Sequence, residues 1–260
     1  LNIWMSNKAV TDMSQASTGL GSVNIFPSIL LQKKLSLYEN GGRATALTNP
    51  EVIDAFREWT DYYCKLKMPI TLDFYNRFRT GTCPIGIEPY TLYTTFTAAA
   101  PEIDGLWGIS VIPGTRQDDG TISHTSSGAG TAAVILKETK NPNAAWEFLK
   151  WWVSEDTQYS YSADIEAVLG PSGRIDTANV KALSRMSWEG NAFDSILAQW
   201  KNVKEIPEIP GSYYVSRSVD QAFWAVYNGE MTEKEAITEW SRISDTEIKR
   251  KLREYPKSGE

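Results

Sequence analysis

Between Gly86 and Trp152 the chain reads Gly86-Ile87-Glu88-Pro89-Tyr90, Trp107-Gly108-Ile109-Ser110-Val111-Ile112-Pro113-Gly114, Ser126-Ser127-Gly128-Ala129-Gly130 and Ala132-Ala133-Val134-Ile135-Leu136. It continues into Asn141-Pro142-Asn143-Ala144-Ala145-Trp146-Glu147-Phe148-Leu149-Lys150-Trp151-Trp152. Each apolar run has the length of a strand, and the first two stop at proline. Strands are therefore expected at Cys83 to Glu88, Trp107 to Ile112 and Thr131 to Leu136. Asn141 is placed to cap the helix that follows, with Pro142 at its first position and Ala145, Phe148, Leu149 and Trp152 as its buried stripe. Short strands that end in aromatic or Gly/Ser loops, followed by an amphipathic helix, form a surface suited to a polar ligand.

Helical patterns surround this stretch. Ser17 to Gly21 reads as a loop, and Phe26 to Leu37 begins as a helix before the Asn40-Gly41-Gly42 turn. Asn49 and Pro50 open a helix whose stripe is Val52, Ala55, Phe56, Trp59 and Tyr63. Phe74 to Phe78 and Leu92 to Ala100 read as shorter helices, and Ser154 caps another. The last third is helix-rich. Phe193, Ile196, Leu197 and Trp200 form one stripe, and Val219, Ala222, Phe223 and Val226 another. Thr232 to Glu235 is a capping box that opens the terminal helix. The fold class is α/β, with helices expected on both faces of a small number of strands.

The 260 residues can bury one or two cores. A net charge of −6, with no clustered Lys and Arg, argues against a nucleic-acid surface. No apolar run reaches the roughly 20 residues of a membrane helix. Leu1-Asn2-Ile3-Trp4-Met5 lacks the character of a secretory n-region, which fits a mature product or an excised fragment. Of the two cysteines, Cys64 falls near a helix end and Cys83 at a strand start. Separate thiols and a disulfide are both open.

Little in the chain points to catalysis. His124, the one histidine, lies in the polar loop Arg116 to Ser127 and is expected to be exposed. No nucleophile elbow, phosphate loop or dinucleotide fingerprint occurs, and His and Cys are too few for a metal centre. No cofactor is expected. Glu88 with Asp118 or Asp119 is the best carboxylate pair for glycoside hydrolysis, but nothing in the spacing fixes their separation. At Ser126, Ser127 and Gly128 two readings are open: a sharp turn, or a turn whose amides face a ligand. Tyr90, Tyr93, Trp188, Tyr213 and Tyr214 lie at element ends or in loops, outside the helical stripes. For each, core packing and ligand contact are both open; as a set they favour a cleft with apolar walls and placed polar groups.

The order of these features resembles the bacterial extracellular solute-binding proteins of ABC importers, the family that includes maltose-binding protein. The resemblance covers about residues 24 to 255. Phe78-Arg79-Thr80-Gly81 is similar to the family's Phe-x-x-Gly before a strand, and Cys83 to Tyr90 to the strand that leads to a ligand-stacking aromatic. Asn141 to Trp152 resembles the family's Ala-Trp-Glu-Phe-Leu-Lys-Trp helix, and Ile206 to Arg217 its proline-containing linker. The resemblance implies a type II periplasmic-binding-protein-like fold. Because such chains are considerably longer, it also implies an incomplete one, without the early lobe and its signal-bearing or lipid-anchored start. Residues 1–107 and 174–260 would form the second lobe and 108–173 the returning part of the first. The implied ligand set is Phe26, Glu88, Tyr90, Tyr93, Ser126, Ser127, Gly128, Trp188, Tyr213, Tyr214 and Arg217, with no catalytic or metal-binding residue. The implied function is capture of a small polar solute, foremost an oligosaccharide, for delivery to ABC permease subunits at the extracellular face or in the periplasm. Two lobes closing about a hinge would do this. A peptide-binding protein of the same fold and a glycoside-active enzyme are the alternatives.

Overall fold

The computed structural model describes residues 3–5, 25–70, 72–128 and 130–254. The loop expected at Ser17 to Gly21 lies outside them, as does Ala129. The chain divides into two compact units. The first holds residues 1–88, 111–129 and 199–260, and the second residues 89–110 and 130–198. These cuts differ from the lobe boundaries expected at 107/108 and 173/174.

The first unit is organised by helices. They are α1 (Ile25–Gln32), α2 (Pro50–Cys64), α9 (Ser212–Tyr227) and α10 (Glu233–Glu254). Asn49 starts α2 as its pattern demands, its side chain accepting from the Glu51 amide, with Pro50 in the first turn. The apolar stripe then buries Val52, Ala55, Phe56, Trp59 and Tyr63. Trp59 is the centre of this core: it stacks on Phe26 at 5.2 Å and meets Phe223 of α9 at 4.5 Å. Ile237 and Ile248 close the core from α10. That helix opens with the expected capping box, the Glu235 amide donating to Thr232 Oγ1 at 3.3 Å and the Thr232 amide to Glu235 Oε2 at 3.0 Å. The turn at Asn40, Gly41 and Gly42 has positive φ at all three residues and joins β2 (Tyr38–Glu39) to β3 (Ala44–Thr45). Between α2 and the next strand comes α3 (Phe74–Arg79), where the aromatic segment was expected to be helical.

Strand structure is sparse. Among the described residues the strands pair only two by two. β1 (Ile3–Met5) runs parallel to β4 (Ile85–Ile87), which occupies the expected Cys83 to Glu88 position. A Cβ at Gly86 would stand 2.3 Å from the Phe74 ring, so this strand passes where no side chain fits. β5 (Thr115–Arg116) and β6 (Ile122–Ser123) form a hairpin in the expected polar loop. β7 (Ser126–Ser127) runs parallel to β8 (Val203–Lys204).

The strands expected at Trp107 to Ile112 and Thr131 to Leu136 do not form. The first segment is held by side chains instead of a ladder: Ser195 donates to the Ile109 carbonyl at 2.8 Å, and the Ile112 amide donates to Gln199 Oε1 at 3.0 Å. The second has no partner strand among the described residues. Cys64 and Cys83 are free thiols.

In the second unit, α4 (Leu92–Ala99) stops at Pro101 as expected, and α5 (Pro142–Trp152) is followed by α6 (Glu155–Leu169), α7 (Val180–Arg185) and α8 (Ala192–Trp200). The boundary between the units falls inside α8. Ser154 caps α6 by accepting from the Thr157 amide. Asn141 makes no side-chain cap bond for α5, and no residue of that helix is fully buried, so Phe148 is exposed where a core position was expected.

Candidate functional site

In the second unit the sequence places Tyr90 just before α4 and Tyr93 in its first turn, where the Tyr93 amide donates to the Tyr90 carbonyl at 2.9 Å. The Tyr93 ring is buried and lies 5.1 Å from Trp188 and 5.6 Å from Trp107. Its hydroxyl accepts from the Glu189 amide at 2.9 Å, and Trp188 Nε1 donates to the Leu183 carbonyl at 2.8 Å. Tyr93 is therefore a packing residue that fixes the half-buried Trp188. Arg174 covers Trp188 with its guanidinium and pairs with Glu166 at 3.0 Å. Its side chain is only 6% exposed, and its Nε has no hydrogen-bond partner.

Electrostatics tie Tyr90 to the same cluster. Burial raises the Tyr90 phenol above the usual range, and the Asp176 carboxylate raises it further. Burial also raises Asp176, an effect that the nearby Arg174 opposes. Glu189 is raised by burial and then by the neighbouring Asp104. Tyr93 and Trp188 thus meet in one aromatic wall, with Arg174 over Trp188 and with Asp176 close enough to Tyr90 to shift it. Such a wall can lie against the C–H face of a ring while polar groups beside it bond its hydroxyls. The sequence reading missed Trp107, Arg174 and Asp176. Nothing in Gly173-Arg174-Ile175-Asp176 signals that the guanidinium folds back onto a tryptophan.

In the first unit, Tyr213, Tyr214 and Arg217 were expected to belong to a linker but sit in the first turns of α9. Tyr213 is 44% exposed, and Arg217, four residues on and exposed, shares its helix face. Tyr214 packs edge-on against Tyr213 at 5.4 Å and accepts from Arg250 Nη2 at 3.3 Å. Glu88 is half-buried and ends the first segment of the first unit, just beyond β4.

Four expected ligand contacts have other work. Phe26 is 0% exposed and stacked on Trp59, so its ring belongs to the core. The amides of Ser126, Ser127 and Gly128 donate to the Asn202 carbonyl, Ser28 Oγ and the Lys204 carbonyl, at 3.1, 3.1 and 3.2 Å. A Cβ at Gly128 would come within 2.3 Å of Val203, so glycine is there to let β7 approach β8. The amides of Ser126 and Gly128 close the β7–β8 pair, and that of Ser127 ties β7 to α1. Gln199 completes the knot by donating to Ser126 Oγ and the His124 carbonyl.

His124, expected to be exposed, is half-buried, with Nδ1 2.6 Å from the Ile112 carbonyl. Asp119 caps its own hairpin turn, where bonds from Thr121 hold its carboxyl below the usual range. Among the described residues no group of three or more His, Cys, Asp or Glu side chains is placed to hold a metal ion, and no helix is long and apolar enough to cross a membrane. A shallow depression along the outer face of α2 is lined by Asp54, Arg57, Glu58, Asp61 and Lys65 but holds none of the expected site residues.

Residues 5–185 match the family described as bacterial extracellular solute-binding protein. No curated protein sequence matches the chain at a significant level. Solved structures of low identity share its fold. The sugar-binding protein MalE of Xanthomonas citri aligns with a TM-score of 0.70 at 15% identity, over 99% of this chain and 60% of its own. An ABC transporter solute-binding protein of Thermotoga lettingae, bound with alpha-D-tagatose, gives 0.62 at 21%, over 86% and 55%. An ABC substrate-binding protein of Listeria monocytogenes in complex with cycloalternan gives 0.62 at 16%, over 93% and 61%. The fold is that of a type II periplasmic-binding-like protein, and the chain spans little more than half the length of these structures.

Proposed function

The chain belongs to the bacterial extracellular solute-binding proteins, and on that premise we propose that it captures a small polar solute, foremost an oligosaccharide, without altering it. The observation that carries this reading is the half-buried Trp188, braced by Tyr93 and covered by Arg174, with Tyr90 and Asp176 electrostatically linked nearby. The buried Arg174 Nε–H has no acceptor in the protein. Tyr213 and Arg217 offer a second, exposed ring and donor on α9, with Tyr214 half-buried beside them. The sugars held by the Thermotoga and Listeria neighbours support the choice of solute class. The protein hands its solute to an ABC-type permease and works at the extracellular face of the membrane or in the periplasm.

Calorimetric titration of the natural gene product with oligosaccharides tests this reading. Tyr213→Ala and Trp188→Ala are each expected to weaken binding about tenfold, since an aromatic contact contributes roughly 1 kcal/mol or more. Circular dichroism checks that the variants fold. Binding that both variants leave unchanged, or binding of peptides in place of sugars, contradicts the proposal.

A further inference from the structure

Beyond α6 the sequence Gly170-Pro171-Ser172-Gly173-Arg174-Ile175 turns back along the helix it has just left. A Cβ at Gly173 would stand 2.7 Å from Ile165 and 3.0 Å from Leu169, so glycine lets the turn lie against α6. The return sets the Arg174 guanidinium 3.0 Å from the Glu166 carboxylate, and the Ile175 amide donates to the buried Ser162 hydroxyl at 3.4 Å. For stability alone this is a poor use of arginine. Its side chain is 6% exposed, and its Nε–H finds no acceptor in the protein. A buried donor left without a partner costs free energy, and a buried ion pair often stabilises no more than apolar groups of its volume. What the pair supplies is orientation. The guanidinium, planar and permanently charged, stands 5.3 Å from the centre of the half-buried Trp188 ring. The same indole is tied by Nε1, which donates to the Leu183 carbonyl at 2.8 Å, and by the Tyr93 ring at 5.1 Å.

We infer that Glu166 and Arg174 are positioning residues for solute capture: the ion pair holds the Trp188 indole in the one orientation that presents its uncovered part to a sugar ring, and Arg174 acts on affinity through that indole. Glu166 fixes the guanidinium from α6, and the guanidinium fixes the ring. Direct contact of Arg174 with the solute fits less well, because its side chain is almost wholly covered. Lysine would not serve in its place, since an ammonium pairs with Glu166 as a point charge and has no flat face to lay on an indole. The inference rests on Trp188 as a solute-facing ring, the reading proposed above. Its test therefore needs one readout on the indole itself and one on the sugar.

Fluorine NMR of the natural gene product labelled with 5-fluorotryptophan supplies the first. The Trp188 resonance is the one lost in Trp188→Phe. Arg174→Met and Glu166→Gln are each expected to shift and broaden it, and Arg174→Lys is expected not to restore it. Calorimetric titration with oligosaccharide supplies the second. Arg174→Met is expected to weaken binding about tenfold in the wild-type background and less than about twofold in the Trp188→Phe background, since an effect carried by the indole disappears with it. A merely structural role weakens binding equally in both backgrounds. Equal losses therefore overturn the inference, as does an unmoved Trp188 resonance in folded Arg174→Met and Glu166→Gln. Should Arg174→Met fail to fold, Glu166→Gln, which removes a charge and no volume, carries both readouts. A wild type that binds no oligosaccharide contradicts the proposed function, and the resonance still decides whether the pair sets the indole.

Discussion

Asp220 sits on the buried face of α9, 3% exposed, and its Oδ1 has no hydrogen-bond partner. Burial alone pushes its carboxyl from 3.8 to about 8. The folded protein therefore holds a proton there that the unfolded chain releases between about pH 4 and pH 8. Stability is greatest below the unfolded value and falls as pH rises through that window, by an amount on the order of a few kcal/mol. Asp119 and Glu235, whose carboxyls are held low by hydrogen bonds, stay ionised in both states across the upper part of that window, while Asp176 and Glu189, raised by burial, add to the slope of Asp220 with the same sign. Urea unfolding at pH 5 and pH 8 is expected to show this loss in the wild type and less of it in Asp220→Asn. A wild type equally stable at both pH values contradicts the assignment. No pattern in Val219-Asp220-Gln221 announces a buried acid, because periodicity places a position on a face without reporting what surrounds it. Phe26, which the resemblance put in the ligand set, misled for the same reason: packing made it core.

Helices were legible because their signals are local. Asn49 with Pro50, Ser154, and Thr232 with Glu235 each mark a start that the structure contains. The Thr232→Ala variant is expected to lower stability by about 1 kcal/mol, read by chemical denaturation. No measurable change implies that α10 is held by its packing alone. Strands were less legible because a strand exists only with a partner, and the partner is not in the local sequence. Ile85–Ile87 finds β1, whereas Trp107 to Ile112 and Thr131 to Leu136 find none among the described residues. Gly86 shows how tightly the successful pair is built. Gly86→Ala sets a Cβ against the Phe74 ring and is expected to cost roughly 1–3 kcal/mol. Adding Phe74→Leu is expected to recover part of that loss. If the double variant is no more stable than the single one, the close approach is not what requires glycine there.

For the whole molecule, the order of degenerate motifs carried more information than any one of them. The family was readable from that order, and so was the expectation of a chain shorter than its relatives. The proposed site was readable only in part. Tyr90, Tyr93 and Trp188 do gather in one unit, but Arg174 and Asp176 reach them through folding that the sequence does not display. The Ser126 to Gly128 bend looked like a ligand loop and serves β7 and β8 instead. The most direct test of solute capture is thermal unfolding of the natural gene product with and without saturating oligosaccharide, followed by recovery of the sugar. The account predicts a midpoint raised by several degrees, since ligand at about 100 times its Kd adds roughly 2.7 kcal/mol, with the sugar recovered intact. An unmoved midpoint across the oligosaccharides, or a recovered sugar shortened with new reducing ends, would contradict it.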